Sequence, residues 1–236
     1  PDSQISISRP GIIELDINSH SPIMTSYDTT DQVLDGFWEV YFDDVDMHSM
    51  YMVVNQIKKD EKGNMWVVNA YCEKYGHLLA IQSSNNGTWS HVGIPDDNLY
   101  RPQTVALESK GSYDRAWIGF AYDDLDHMTY SSGGLKVLKY TDINFEDITD
   151  STWLAITNPE ILQKDGKEMS IWSLVIDQMG FLWVLHEKGI QYYQISGTNS
   201  LTLVQLNPLD FLAHILYEKG NRIKVDGQNN KWIITH

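Results

Sequence analysis

Two short acidic segments hold the densest groups of carboxylates in the chain. They share the pattern Asp-Asp-x-Asp and lie 80 residues apart. Their aspartates are Asp43, Asp44 and Asp46 in the first segment and Asp123, Asp124 and Asp126 in the second. Carboxylates at this density suit Ca²⁺, which takes six to eight oxygen ligands. The alternative is a pair of solvated acidic loops, and the EF-hand pattern is absent because no Gly and Glu follow at the required positions.

Several polar and aromatic residues stand where predicted strands end, at or near the third residue after a recurring tryptophan. They are Asn69, His186 and Thr235, with Tyr71, Tyr122 and Tyr130 nearby. Phe120 occupies the same position in the remaining copy. Amide, hydroxyl and aromatic groups together suit a glycan or a peptide segment. The alternative interpretation is ordinary polarity at strand ends, without a ligand.

Signatures of catalysis are scarce. The sequence contains no GxSxG elbow, no HExxH helix and no phosphate-binding glycine loop. Cys72 has His77 and His91 in its vicinity, but closeness in sequence does not establish a catalytic pair. So acidic a chain contains many carboxylate pairs, and a glycosidase or lyase that uses two of them stays an alternative. No residue is predicted to be catalytic.

Composition narrows the classes of partner. The 236 residues carry a formal net charge of −15, which argues against binding nucleic acid or an anionic membrane face. Cys72 is the single cysteine, so the chain forms no internal disulfide and no cysteine-rich zinc site. No run approaches the roughly 18 apolar residues of a transmembrane helix, and the first residues lack a signal-peptide pattern. We expect neutral or cationic partners, or divalent metals, and no transmembrane segment.

The elements that position these residues are revealed by tryptophans that recur in register. Trp66, Trp117, Trp183 and Trp232 are separated by 51, 66 and 49 residues. Three of them end a common unit, namely Asp60-Gly63-Trp66, Asp177-Gly180-Trp183 and Asp226-Asn229-Trp232. An aspartate that caps backbone N–H groups, followed by a residue that tolerates positive φ, predicts a tight hairpin turn. The fourth copy departs from the pattern, with Gly111 where the aspartate is expected.

A second series of tryptophans runs through the first. Trp38, Trp89 and Trp153 each lie 28 to 30 residues before a tryptophan of the first series. Each copy contains four short β-type runs, which we name strands A to D in chain order. Strand B carries the first tryptophan series and strand D the second. A repeat of this length and content predicts an all-β chain, a β-propeller of four-stranded antiparallel blades.

The predicted strands give about four blade equivalents within a single domain, residues 1–236. The parts are 1–42 (strands C and D), 53–92, 103–157, 171–206 and 222–236 (strands A and B). Residues 8–15 resemble strand C around Gly189 and Ile190, so the first part opens with strand C. The last part, 222–236, contains strands A and B only. Either the two ends complete one blade in a small closed ring, or the chain is a portion of a larger propeller.

The repeat unit resembles the two-component regulator propeller repeat. Residues 175–184 followed by 188–193 match it best, and residues 55–67 and 223–233 are further matches. The family is found in extracytoplasmic sensor portions of hybrid two-component regulators and in surface propellers linked to type IX secretion. Because the family forms larger rings, the resemblance favours a portion of a larger propeller.

The resemblance implies a non-enzymatic module that lies in the periplasm or at the cell surface. Its expected partners are a glycan or protein segment, and the rest of a larger propeller or an attached signalling domain. Two alternatives stay open, namely a propeller carbohydrate-active enzyme and a structural scaffold in a surface or secretion assembly. We expect no cofactor other than the possible Ca²⁺.

Overall fold

A computed structural model describes most of the regular structure of the chain. The described residues are 11–16, 23–28, 37–39, 49–51, 54–69, 79–92, 101–111, 113–125, 129–140, 153–156, 163–164, 167–187, 189–204 and 222–234. All regular elements among them are β-strands. The predicted all-β class is therefore confirmed.

Three four-stranded antiparallel sheets are the complete blades of the propeller, and each follows the order A, B, C, D. Blade 1 contains β5 (Val54–Lys59), β6 (Met65–Asn69), β7 (Leu79–Gln82) and β8 (Trp89–Val92). Blade 2 contains β9 (Pro102–Ser109), β10 (Asp114–Leu125), β11 (Thr129–Tyr140) and β12 (Trp153–Leu154). Blade 3 contains β15 (Ile171–Ile176), β16 (Phe181–His186), β17 (Gly189–Ser196) and β18 (Ser200–Val204).

The remaining strands form two-stranded sheets. They are β1 (Gly11–Asp16) with β2 (Ile23–Asp28), β3 (Phe37–Glu39) with β4 (Ser49–Tyr51), β13 (Gln163–Lys164) with β14 (Lys167–Glu168), and β19 (Arg222–Val225) with β20 (Lys231–Ile234). The strands β19 and β20 lie in the part, 222–236, that the sequence assigns to strands A and B. Trp38 is a correction: it was predicted to lie in the strand D that follows the first strand C. In the structure, β1 pairs with β2, and Trp38 lies in β3.

The hairpin turns between strands A and B confirm the structural role of the repeated aspartates. The Asp177 carboxylate accepts hydrogen bonds from the backbone N–H groups of Met179 and Phe181 at 2.9 and 3.0 Å. Its other oxygen accepts from Trp183 Nε1 at 3.0 Å. Gly180 has a φ of 81°, so a left-handed residue closes the turn. One carboxylate thus fixes both the turn and the tryptophan of the next strand.

The other two copies repeat this geometry. Trp66 Nε1 donates to Asp60 at 3.3 Å, and Trp232 Nε1 donates to Asp226 at 2.8 Å. Asn229 is the one non-glycine residue with positive φ among the described residues, at 66°. The prediction that Asn replaces Gly at this left-handed position is therefore confirmed.

Blade 2 has a different A–B turn, without an aspartate that bonds its strand B tryptophan. Four residues separate the paired Ser109 and Asp114 in its A–B turn, whereas five separate the paired Ile176 and Leu182 in blade 3. The shorter turn has no aspartate, and Trp117 is fully buried with the Arg115 guanidinium 5.5 Å from its ring centroid. Arg115 forms a 2.6 Å ion pair with Glu108. A buried cation and its carboxylate thus stand where the other blades have an Asp–Trp hydrogen bond.

Neighbouring blades pack through the tryptophan of strand B. Trp66 shares a buried cluster with Val105 and Ile118 of blade 2. Trp117 shares another with Leu174 and Val184 of blade 3. Because each strand alternates its faces, the residues beside each tryptophan face the other neighbour. The core is therefore a series of layers between blades.

The innermost strands are also joined by polar side chains. In each blade, strand A pairs one residue with the strand B tryptophan. The side chain two positions earlier on strand A accepts a hydrogen bond from a backbone N–H of the next blade. The bonds run from Val105 N to Gln56 Oε1 (2.6 Å), from Leu174 N to Thr104 Oγ1 (3.0 Å) and from Ile223 N to Ser173 Oγ (3.2 Å). We call these three bonds the inter-blade ladder. The ladder provides acceptors for backbone N–H groups that have no partner in the strand pairing within their own blade.

Candidate functional site

The β10–β11 hairpin extends past the sheet that contains it. Pairing of β10 with β9 stops at Phe120, opposite Pro102. Pairing of β10 with β11 continues as far as Leu125, opposite Thr129. The described residues of this extension, 121–125 and 129–133, lie at the end of strand B from which the loops to strand C emerge. We call it the projecting hairpin.

Ser170 holds the base of the projecting hairpin to blade 3. Tyr122 N donates to Ser170 Oγ at 2.9 Å, and the Ser170 hydroxyl lies 3.4 Å from Tyr122 O as a donor. Glu187 N donates to Ser170 O at 3.1 Å. Tyr122 and His186 were predicted to belong to one site. Ser170 bonds the backbone of Tyr122 and of Glu187, which follows His186 directly.

Two glycines allow a close approach on the opposite strand of the hairpin. Gly133 and Gly134 have φ values of 70° and 90°. A Cβ on Gly134 would lie 2.6 Å from Glu168 Cδ, and Gly134 N donates to Met169 O at 2.9 Å. The positive φ of Gly134 favours glycine, and a Cβ there would also require the Glu168 side chain to move. The hairpin base is therefore held on both of its strands.

The predicted ligand-binding residues have different environments. Asn69 ends β6 with no exposed surface, and His186 ends β16 with 3% exposed. Tyr122 is partly buried at the hairpin base, and Tyr130 lies in β11 opposite Asp124. Tyr71 and Thr235 lie outside the described residues. Ser170 bonds the backbone of Tyr122 and the backbone of Glu187, the residue after His186, and a ligand on this set stays a prediction.

The acidic segment of blade 2 needs a correction. It was predicted to be a loop, but Asp123 and Asp124 belong to β10 and pair with Ser131 and Tyr130. An extended strand does not curl around an ion as a calcium-binding loop does. Asp43, Asp44, Asp46 and Asp126 lie outside the described residues. Within the described part of the chain, no group of three or more Asp, Glu, His or Cys residues is placed to hold a metal ion.

A small cavity lies at the opposite end of the blades, between the A–B turns of blades 1 and 2. Its volume is about 60 Å³. Its polar lining includes Asp60, Glu61, Glu108, Asp114 and Tyr140. The sequence marked Asp60 as a turn residue, but nothing in its spacing indicated that carboxylates of a second blade would lie beside it.

Charges around this cavity are compensated by the protein itself. Lys62 Nζ lies 2.8 Å from Asp114, and Arg115 pairs with Glu108. The Tyr140 hydroxyl donates to Asp60 at 3.5 Å. Burial raises the pKa of Tyr140, and the charges of Asp60 and Asp114 raise it further. Tyr140 is therefore a neutral hydrogen-bond donor at physiological pH.

The chain is similar to solved extracellular sensor domains. No protein-family model matches it, and no curated protein matches it in sequence. Two structures of the extracellular domain of BT4673 from B. thetaiotaomicron, described as a one-component and a hybrid two-component system, do match. One has 15% identity, a TM-score of 0.50 and coverage of 95% of this chain and 24% of that chain. The other has 16% identity, a TM-score of 0.51 and coverage of 95% and 23%.

A third similar structure is PorZ, a surface component of the type-IX secretion system of Porphyromonas gingivalis. It has 14% identity and a TM-score of 0.49, and the match covers 90% of this chain and 34% of that chain. At these identities, likeness concerns the fold, which the two BT4673 structures support. The recognised resemblance to extracytoplasmic sensor propellers is thereby confirmed in its architecture. The chain spans about a quarter of the length of the BT4673 domain.

Proposed function

We propose that this protein is a non-enzymatic, extracytoplasmic binding module of a sensor or cell-surface protein. The similar BT4673 structures are extracellular domains of a signalling system, which supports the extracytoplasmic setting. Among the described residues, no helix is long and apolar enough to cross a membrane. Further propeller blades or a signalling domain are the expected partners within the assembly.

The projecting hairpin is the element that carries the binding proposal. Structural residues repeat from blade to blade, whereas the described residues of the three complete blades show this extension in blade 2 alone. Its base is fixed by Ser170 and by the glycine contacts, so its backbone is preorganised. Preorganisation lowers the entropy cost of binding. We propose that it presents Tyr122 and Tyr130 to a glycan or protein segment.

The enzyme alternative finds less support in the geometry. Two carboxylates at the cavity between blades 1 and 2 are already paired, Asp114 with Lys62 and Glu108 with Arg115. The cavity of about 60 Å³ is several times smaller than ligand pockets, which span ≈ 300–1,000 Å³. A glycosidase also needs two carboxyl groups that face each other across a sugar ring. The paired carboxylates of this cavity are better explained by stability.

Binding to arrays of defined oligosaccharides and displayed peptides tests the proposal. We expect wild-type protein to retain at least one probe without releasing products from it. Tyr130→Ala should weaken that binding at least about tenfold, which is the loss of a typical aromatic anchor. Tyr113→Ala, in the A–B turn at the other end of blade 2, is the matched control and should bind normally. Turnover of an oligosaccharide, or equal binding by both variants, would contradict the proposal.

A scaffold role is the second candidate, and one observation favours it. Trp232 is 62% exposed and Ile234 is 52% exposed, both on β20. Large apolar side chains that stand together on a surface mark contacts with other chains. A scaffold would use this surface, whereas the binding proposal uses the projecting hairpin, so variants at the two places separate the two functions.

A further inference from the structure

The innermost strands carry a charge opposite to that of the whole chain. They are β5, β9 and β15 of the complete blades and β19 of the β19–β20 sheet, which supplies strands A and B of a half-blade. The chain has 32 acidic and 17 basic residues. These strands instead contain four cations and one carboxylate, namely Lys58, Lys59, Arg222, Lys224 and Glu108. The net charge of the chain therefore does not describe the axis that these strands surround.

Two of the lysines lie at the same level around this axis. Lys58 is paired with Trp66 of strand B, and Lys224 is paired with Trp232. The equivalent residues of blades 2 and 3 are uncharged, namely Ala106 and Val175. The inter-blade ladder joins the innermost strands in the order β5, β9, β15 and β19. The two lysines thus stand at one height on the first and the last of four strands that follow each other around the axis.

Neither lysine has a counter-charge within the described part of the chain. Four cations near the A–B turns each pair with a carboxylate, namely Lys62, Lys110, Arg115 and Lys231. Among the same described residues, Lys58 and Lys224 form no ion pair and no hydrogen bond. Glu108, the one carboxylate on the innermost strands, is already held by Arg115. The protein therefore leaves these two ammonium groups for another partner.

A lysine at this level reaches the axis even where the next blade is packed. Trp66 of blade 1 packs against blade 2, and yet Lys58, opposite that tryptophan, is only partly buried. Its long side chain extends past the packed face, as lysine side chains do at apolar surfaces. Lys224 is exposed. Burial lowers the pKa of Lys58 to about 8, and the positive charge of Lys224 lowers it further. Both groups are therefore charged at neutral pH and repel each other.

We propose that Lys58 and Lys224 bind the anionic group of a ligand, a carboxylate, sulfate or phosphate, at the axis of the innermost strands. An oxyanion beside the two ammonium groups replaces their repulsion by charge-assisted hydrogen bonds. The lysines lie two residues before Asp60 and Asp226 of the A–B turns, at the opposite end of the blades from the projecting hairpin. This second site does not rest on the binding proposed for the hairpin.

Isothermal titration calorimetry at constant ionic strength tests the site. The probes are inorganic phosphate, sulfate and a short uronic-acid oligosaccharide, with a neutral oligosaccharide of the same length for comparison. We expect wild-type protein to bind at least one anion saturably, with a Kd of about 1 mM or below. Preference for phosphate or sulfate would identify a free oxyanion, and preference for the uronic-acid oligosaccharide would identify an acidic glycan.

Variants of the two lysines test which residues hold the anion. Lys58→Met and Lys224→Gln should each weaken binding at least about tenfold, because each removes a charge-assisted hydrogen bond. Lys136→Gln, on β11 in the third strand from the axis, makes the same change in net charge and is the matched control. Its affinity should stay within about twofold of wild type because of screening. No saturable binding of any probe up to about 10 mM, or equal binding by wild type and both axis variants, would overturn the proposal.

Thermal unfolding separates binding from a purely structural role. Without the anion, Lys58→Met removes a poorly compensated charge, so its melting temperature should equal or exceed that of wild type. At about ten times the Kd, the preferred anion should raise the melting temperature of wild type more than that of the variant. Lys224→Gln, at an exposed position, provides the same comparison in a variant that keeps Lys58. An equal rise in wild type and both variants would contradict anion binding by these lysines.

Discussion

Asp177 illustrates how one repeated side chain stabilises both a turn and a blade. It is buried, with 6% of its surface exposed, and accepts hydrogen bonds from two backbone N–H groups and Trp183. Lys231 Nζ, on β20 of the neighbouring two-stranded sheet, lies 2.9 Å from Asp177 Oδ2. Burial alone would raise the pKa of Asp177, but the hydrogen bonds from Lys231, Trp183 and Phe181 outweigh it and lower the pKa. The ionised carboxylate is the form that the fold requires.

Asp177→Ala should destabilise the protein by about 2 to 4 kcal/mol, because it removes a carboxylate and leaves buried donors without an acceptor. Since the folded-state pKa is depressed, the stabilisation is present above the unfolded-state pKa of about 4 and is lost as pH falls through the folded-state pKa. The difference in unfolding free energy between wild type and Asp177→Asn should therefore shrink in acid. Urea titrations at several pH values measure it, and a difference that is constant down to pH 2 would contradict this role.

The buried pair of Arg115 and Glu108 makes a separate prediction. Arg115 also donates to the carbonyls of Gly197 and Thr198 in blade 3, at 2.7 and 3.0 Å. Glu108→Ala would leave its guanidinium buried without a counter-charge and should cost about 3 to 5 kcal/mol. The Glu108→Leu/Arg115→Met double variant should lie within about 1 kcal/mol of wild type, because an apolar pair avoids the desolvation cost.

A double-mutant cycle on thermal or urea unfolding measures the coupling of this pair. The reference variants are Glu108→Leu and Arg115→Met alone. Additive effects of the two single changes would show that the ion pair does not stabilise blade 2.

These residues also show what the sequence could and could not predict. The spacing of Asp, Gly and Trp is local, so the three aspartate turns were predictable from turn chemistry. Gly111 revealed that blade 2 departs from the pattern. The sequence did not reveal that an ion pair of Arg115 and Glu108 replaces the Asp–Trp hydrogen bond in blade 2. That ion pair depends on the cross-strand register between β9 and β10 and on contact with another blade.

The strands were predicted most accurately where short apolar runs lie between clear turns. Turn chemistry around Asp177 and Gly180 predicts strands at 171–176 and 181–186, and β15 and β16 have these bounds. Longer-range features were missed. The β13–β14 hairpin lies within a connection, and the extension of β10 and β11 depends on contacts with Ser170 and Met169 that sequence spacing does not reveal.

The inter-blade ladder makes each innermost strand depend on its neighbour. Thr104 is 1% exposed, and its hydroxyl accepts from Leu174 N at 3.0 Å. Thr104→Val keeps the shape but leaves that N–H without an acceptor, which should cost about 1 to 3 kcal/mol. Thr104→Ser retains the hydroxyl and should recover part of the loss. Thr202→Val, on the exposed part of β18, is the control for unfolding measurements, and an equal effect of both valine changes would contradict the prediction.

The acidic segments keep their calcium hypothesis as a prediction. If Asp43, Asp44, Asp46 and the second segment bind Ca²⁺ in the native state alone, millimolar calcium should raise the melting temperature by mass action. Magnesium at the same ionic strength is the control, because its smaller octahedral shell suits such sites poorly. An unchanged melting temperature would remove calcium from consideration.

At the scale of the whole molecule, a charge in the β19–β20 sheet changes the pKa of a lysine in blade 1. Burial lowers the pKa of Lys58, on β5, and the positive charge of Lys224, on β19, lowers it further, to about 8. These are the innermost strands of the first complete blade and of the last half-blade. The blades are therefore arranged so that these two strands lie within electrostatic reach.

Lys58 should make stability depend on alkaline pH. Its folded-state pKa lies below the unfolded value of 10.5, so the folded state binds fewer protons and stability rises between about pH 8 and 10.5. Lys58→Met should remove a rise of roughly 3 kcal/mol, because each pKa unit corresponds to about 1.4 kcal/mol. Lys224→Gln should raise the Lys58 pKa and shorten the window. Unfolding titrations of the three proteins measure this, and identical pH profiles would contradict the proximity of β5 and β19.

The same arrangement implies stability shared between neighbours, as in other repeat architectures. Blades 1 and 2 bury their strand B tryptophans against the next blade, and β9, β15 and β19 each take a side-chain acceptor from the blade before them. Placement of the chain within a larger propeller stays a prediction. It agrees with a match that covers about a quarter of the BT4673 domain.

Native-state hydrogen exchange at the inter-blade ladder tests this architecture most directly. Because their acceptors lie in the neighbouring blade, the amides of Val105, Leu174 and Ile223 should exchange slowly and with similar protection. Ser173→Ala should accelerate exchange at Ile223 more than at Val105. The Gly227 amide, in an exposed turn, gives the unprotected reference. Exchange of the three ladder amides at the rate of Gly227 would contradict a propeller whose blades are joined through their innermost strands.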